Sequence, residues 1–116
     1  MRHRKKGKIL SRTTASRKAL MRNMATNLVL YEKIKTTEAK AKALRPIIEK
    51  YVTVSKKGDL AARRRLIEFL YTENAVNKMM DVIGPKYKGR PGGYTRITKI
   101  GSRQGDGVQM VQIEFV

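Results

Sequence analysis

The stretch VQMVQIEFV, residues 108–116, decides the class of the fold. Val111, Ile113 and Phe115 alternate with Gln112 and Glu114, the two-residue period of a strand with one buried face and one wet face. Just upstream, YTRITKI at 94–100 is rich in β-branched and aromatic residues, and the glycine-rich GSRQGDG at 101–107 supplies a turn between the two runs. YEKIKTT reads as a further short strand, Tyr31 to Lys35. The remaining apolar residues recur at helical spacing. The expected class is therefore α/β (α+β): a small mixed sheet of about three strands packed against about four helices.

The helices are marked by their faces and their caps. From about Thr14, residues Leu20, Met24, Leu28 and Tyr31, flanked by Met21, share one face, while Lys18 and Arg22 point the opposite way. Thr36 and Thr37 offer an N-cap to a second helix with Ala41, Leu44, Ile47, Ile48 and Tyr51 on its apolar side and Lys42, Arg45, Glu49 and Lys56 opposite. Pro46 falls inside it; the periodicity runs through in phase, which favours a kink near Arg45 over two separate helices. Glu38 and Lys42 form a favourable i,i+4 pair, and Gly58 suits the residue after the helix end. Asp59 caps a third helix carrying Leu60, Leu66, Ile67 and Leu70, with three arginines at 63–65 around its circumference. Thr72 caps a fourth, short helix using Val76, Met79, Met80 and Ile83, which Gly84 and Pro85 are expected to end.

Charge is the dominant compositional feature. The 116 residues hold 27 Lys and Arg against 9 acids, a net charge of +18. Nine of the cations lie in the first 31 residues, where no acid occurs, and a second acid-free stretch runs from Asp81 to Asp106. Like charges gathered this way repel and favour extension, so residues 1–13 read as a basic arm attached to a single compact domain at 14–116. Such a balance points to a polyanion, and nucleic acid is the commonest one. An anionic membrane fits less well, because the cations are spread through folded segments and no apolar run is long enough to span a bilayer. An Arg-rich, acid-free start also matches an organelle transit peptide.

Catalytic constellations are missing from the pattern. The chain has no Cys and one His, and the glycines at 89, 92, 93, 101, 105 and 107 precede or join strands instead of opening a helix as a phosphate-binding loop would. The methionines suit core filling. No enzyme, cofactor, metal site or small-molecule substrate is expected. A binding constellation is present instead. The arm's cations can neutralise successive phosphates, and the small residues Gly7, Ser11, Thr13 and Thr14 allow close backbone approach. GRPGGYTR at 89–96 repeats the logic with Arg90, Arg96, Gly92 and Gly93; Tyr94 either stacks on a base or packs at the strand start. An extended cationic arm suits folded RNA, where phosphates converge from several helices, better than the groove of a duplex, although a nucleoid-type DNA-binding protein shares the charge and size.

MRHRKKGKILSRTTASRKALMRN, KIKTTEAKAKALRPIIEK, KKGDLAARR and GGYTRITKIGSRQGDG together resemble the family of bacterial large-subunit ribosomal protein seventeen, over essentially the whole chain. LIEFLYTENAVNKMMDV departs most from that pattern. The resemblance implies a structural constituent of the large ribosomal subunit in the cytoplasm. It implies binding to large-subunit ribosomal RNA, support of subunit assembly and translation, and protein neighbours near the nascent-chain exit region. Because the family pattern begins at Met1, the basic start is expected to belong to the mature protein. Carried over by motif, the RNA-facing residues are Arg2, His3, Arg4, Lys5, Lys6, Lys8, Arg12, Arg17, Lys18 and Arg22, then Arg90, Gly92, Gly93, Tyr94, Arg96 and Arg103.

Overall fold

A computed structural model of the chain describes residues 13–116. The order of elements is α1 (Thr14–Tyr31), β1 (Lys33–Thr37), α2 (Glu38–Lys56), α3 (Leu60–Phe69), α4 (Glu73–Lys78), a π turn (Met79–Ile83), α5 (Gly84–Lys86), β2 (Thr95–Ser102) and β3 (Gln109–Phe115). The class is α+β, as the strand and helix patterns required. The basic arm lies outside the described residues up to Thr13, which caps α1 by accepting from the Ser16 N–H at 3.3 Å.

Helices α2, α3 and α4 each start on the cap the sequence offers. Thr37 accepts from the Lys40 N–H, Asp59 from Ala62 at 2.8 Å and Thr72 from Ala75 at 3.2 Å, so each side chain takes up an N–H that the first turn leaves without an intrahelical acceptor. Helix α2 runs unbroken through Pro46, and its Glu38–Lys42 pair closes at 2.8 Å. Gly58 follows at φ +66, a left-handed conformation in which a Cβ is costly.

Between α1 and β1 the chain reverses on Glu32, which adopts φ 65 and sends its N–H back to the Leu28 carbonyl at 2.7 Å. It is the one non-glycine positive φ among the described residues. This reversal moves the strand two residues later than the alternation suggested, to Lys33–Thr37, and leaves Tyr31 as the last residue of α1 with its side chain 69% exposed.

The sheet order is β1-β3-β2 and every pairing is antiparallel, so the sheet is not mixed. The tight hairpin forces this for β2 and β3. For β1 the direction follows from its entry point: it begins where β3 ends, and the Phe115 N–H donates to the Glu32 carbonyl at 3.1 Å. The register places Ile34, Ile113 and Ile97 in one cross-strand row and Thr36 beside Val111 on the same face. That face packs on the helices, where Leu28, Val29, Leu44, Ile48, Val52, Leu66, Met79 and Ile83 are fully or almost fully buried. A bulge between Lys99 and Gly101 leaves Ile100 half exposed near the hairpin tip.

Besides Tyr31, two apolar residues expected in the core are outside it. Leu60 and Ile67 on α3 are 62% and 55% exposed, because α3 meets the rest of the protein through Ala62, Leu66 and Leu70. The expected stop at Gly84 and Pro85 is also absent. Helical backbone continues through both residues to Lys86, and Gly84 takes an ordinary right-handed φ of −54. Gly84 is required by space instead: a Cβ there would lie 2.7 Å from the Ser55 carbonyl oxygen and 3.0 Å from that of Met79. Pro85, which has no N–H to give to the preceding turn, stands just past the widened π turn, with only Gly84 between.

Candidate nucleic-acid interface

The loop between α5 and β2 is held by α2 at its middle and at its C-terminal end. Lys56 Nζ donates to the Arg90 carbonyl and, at 2.8 Å, to the Tyr94 hydroxyl, which itself donates to the Arg90 carbonyl at 3.1 Å. Two helical turns back, Glu49 Oε2 accepts from the Thr95 N–H at 3.2 Å and its hydroxyl at 2.8 Å. These contacts fix the backbone of the loop and leave the Arg90 side chain exposed at its apex. Gly93 needs its glycine for φ +65, while a Cβ on Gly92 would meet nothing in this chain.

Tyr94 takes the packing alternative. It is only 1% exposed, with its ring 5.3 Å from that of Tyr87, so it offers no face to a base. The ammonium of Lys56 beside its hydroxyl, with Thr53 adding a second hydrogen bond, holds the phenol below its ordinary range.

The other candidates separate according to what already occupies their charge. Arg2, His3, Arg4, Lys5, Lys6, Lys8 and Arg12 lie outside the described residues. Arg17 is half-buried on the first turn of α1, with Nη2 3.4 Å from the Thr14 hydroxyl. Arg22 does not stand on a bare polar face: its Nε donates to the Phe69 carbonyl at 2.7 Å and its guanidinium lies 4.2 Å from the centre of the Tyr71 ring. It closes the open C-terminal end of α3. Arg96 pairs with Glu114 at 3.1 Å across the sheet, and Arg103 pairs with Asp106 at 2.6 Å within the hairpin tip. That guanidinium, with the Val108 N–H, pulls the Asp106 carboxyl below the usual carboxylate range, and Asp106 in turn raises Arg103. Among the described residues Lys18 and Arg90 form no ion pair with an acid, and Arg90 is exposed.

The model of the family described as Ribosomal protein L17 matches residues 20–116. The chain belongs to the ribosomal protein L17 family. It is 50% identical over 117 residues to the large ribosomal subunit protein bL17 of Hydrogenobaculum sp. (strain Y04AAS1), an alignment covering 100% of this chain and 99% of that one. It is 54% identical over 104 residues to the bL17 of Desulforamulus reducens, covering 90% and 93%, and 52% identical over 116 residues to that of Rickettsia bellii, covering 100% and 82%. As an L17 family member it is a structural protein of the large ribosomal subunit, part of the cytoplasmic translation apparatus of bacteria, and not an enzyme. Among the described residues no three His, Cys, Asp or Glu side chains gather where a metal ion would be held, and no helix is long and apolar enough to cross a membrane.

In this L17 protein the structure also adds two cations that residue-by-residue reading passed over. Lys33 and Lys35 share the outer face of the sheet, in cross-strand rows with Glu114 and Arg96 and with Gln112 and Thr98. Lys33 is exposed and Lys35 largely so, and only Glu114 brings negative charge to these rows. The signal was available in KIK at 33–35, where lysines two apart on a strand must point the same way.

Proposed function

We propose that this chain binds folded large-subunit ribosomal RNA through its acid-free N-terminal segment and the basic loop around Arg90. In doing so it supports subunit assembly and translation. Its protein neighbours stand near the nascent-chain exit region, a placement supported by its family. The observation that carries the RNA reading is charge without internal compensation: 27 cations face 9 acids, and only five ion pairs form among the described residues. A surplus of that size, held on a domain whose core is complete without it, calls for an external polyanion.

The sites within this reading are Arg2, His3, Arg4, Lys5, Lys6, Lys8 and Arg12 along the arm, then Arg17, Lys18, Arg90, Gly92 and Gly93, with Arg96 and Arg103 reaching phosphate alongside their carboxylate partners. Tyr94 and Arg22 act from behind, by holding the loop and the end of α3. The test is binding of a large-subunit ribosomal RNA fragment across a salt series, with Arg2, Arg4, Lys5 and Lys6 all replaced by Ala. The log–log salt slope should become shallower by about 3, at roughly 0.7–0.9 for each phosphate no longer neutralised, while circular dichroism stays unchanged. An unaltered slope, or preference for duplex DNA at matched salt, would refute the proposal.

A further inference from the structure

The contacts proposed above leave the junction of α1 and β1 without a role. A cleft of about 490 Å³ opens there, lined by Met24, Asn27, Tyr31, Ile34, Lys35 and Thr36. The cleft is wide open to solvent, so an occupant would lie against its walls instead of being enclosed. Met24, Asn27 and Tyr31 fall on one face of α1 at helical spacing and form one wall; β1 forms the other. Met24 is buried and Ile34 half-buried, while the Tyr31 ring, 69% exposed, is a large aromatic surface that the fold does not cover.

We propose that this cleft holds one unpaired nucleotide of RNA, an inference that rests on RNA being the protein's partner. The Tyr31 ring supplies the stacking surface and the exposed Asn27 carboxamide supplies both a donor and an acceptor for a base edge. Lys35 supplies the charge for the flanking phosphate, and the outer sheet face continues that charge through Lys33 and Arg96. An apolar side chain of a partner protein fits less well: Asn27, Lys35 and Thr36 make half the lining polar, and the only charge in it is positive. The neighbouring acid, Glu32, has its carboxylate 3.5 Å from the Lys78 ammonium.

The experiment uses the full chain and hexauridylate RNA, with a large-subunit ribosomal RNA fragment as a second ligand. Tyr31→Ala should weaken hexauridylate binding about 5- to 100-fold with the salt slope unchanged, as expected for loss of one base stack. Tyr31→Phe, which keeps the ring, should recover most of what Tyr31→Ala loses. Lys35→Ala should make the slope shallower by about 0.7. Circular dichroism of Tyr31→Ala should match the parent, since the side chain is exposed. If the parent binds neither RNA, the RNA reading itself fails and the cleft assignment falls with it. If the parent binds and Tyr31→Ala binds equally well, only the cleft assignment is overturned. A photocrosslinker at position 31 in assembled large subunits should label RNA; labelling of a protein alone would overturn the assignment.

Discussion

Replacing Gly84 with Ala tests the account of how α2 and the last helical turn meet. In an open helix this change is favourable by about 0.5–1 kcal/mol, because Ala loses less backbone freedom than Gly. Here the new methyl would sit 2.7 Å from the Ser55 carbonyl oxygen and 3.0 Å from that of Met79. Both are backbone atoms, so no rotamer change relieves the clash and α2 must move away by several tenths of an ångström. Overpacking of this kind costs about 1–3 kcal/mol, and a rigid backbone neighbour places it in the upper half of that span. The net expectation is a loss of about 1–2 kcal/mol, or about 4–8 °C in Tm for an unfolding entropy near 2.1 cal/mol/K per residue. The assay is thermal unfolding of the free protein, with Gly89→Ala as the control. A methyl group on Gly89 would meet nothing within 4 Å, and its φ is not positive. Gly89→Ala should leave Tm unchanged or raise it slightly. A Tm for Gly84→Ala equal to or above that of the parent would refute the packing argument.

Arg22→Ala should remove the hydrogen bond to the Phe69 carbonyl and the stacking on Tyr71, and lower stability by about 1–2 kcal/mol in urea unfolding. The salt slope of RNA binding should not change; a changed slope at unchanged stability would mean Arg22 faces phosphate after all. Asp106 should titrate below the ordinary aspartate range when followed by NMR, and Arg103→Ala should return it toward that range. Its folded value is depressed, so the stabilisation it gives the hairpin tip is complete above the ordinary value and disappears as pH falls through the lowered one. A midpoint unaffected by Arg103→Ala would rule out the guanidinium as the cause.

Much of this architecture is visible in local sequence because local physics decides it. The alternation of Val111, Ile113 and Phe115 marks β3, and Thr37, Asp59 and Thr72 mark helix starts through hydrogen bonds that span only three residues. What escaped depends on distant neighbours. Gly84 and Pro85 look like a helix stop until the Ser55 carbonyl is brought against them. Leu60 and Ile67 share the helical period of buried residues, but periodicity does not say whether a neighbour arrives to cover them. The interface followed the same rule. Charge could be counted along the chain, whereas the partners that engage it could not: the Phe69 carbonyl is 47 residues from Arg22, and Glu114 is 18 from Arg96. Among the arginines of the interface, only Arg103 has its acid, Asp106, close by in sequence.

The central place of β3 has a consequence for how the polypeptide matures. β1 is made early and β2 late, yet neither pairs with the other; within the sheet both pair only with β3. Until Gln109–Phe115 has emerged, the helices can gather but the two strands have no common partner, and the Tyr94 carbonyl waits for the Val116 N–H. Joining residue 33 to residue 114 also closes a very long loop, a slow event compared with helix formation. A nascent chain interrupted before residue 109 would therefore leave both edges of β1 and of β2 without a partner, whereas β3 covers one edge of each in the finished sheet.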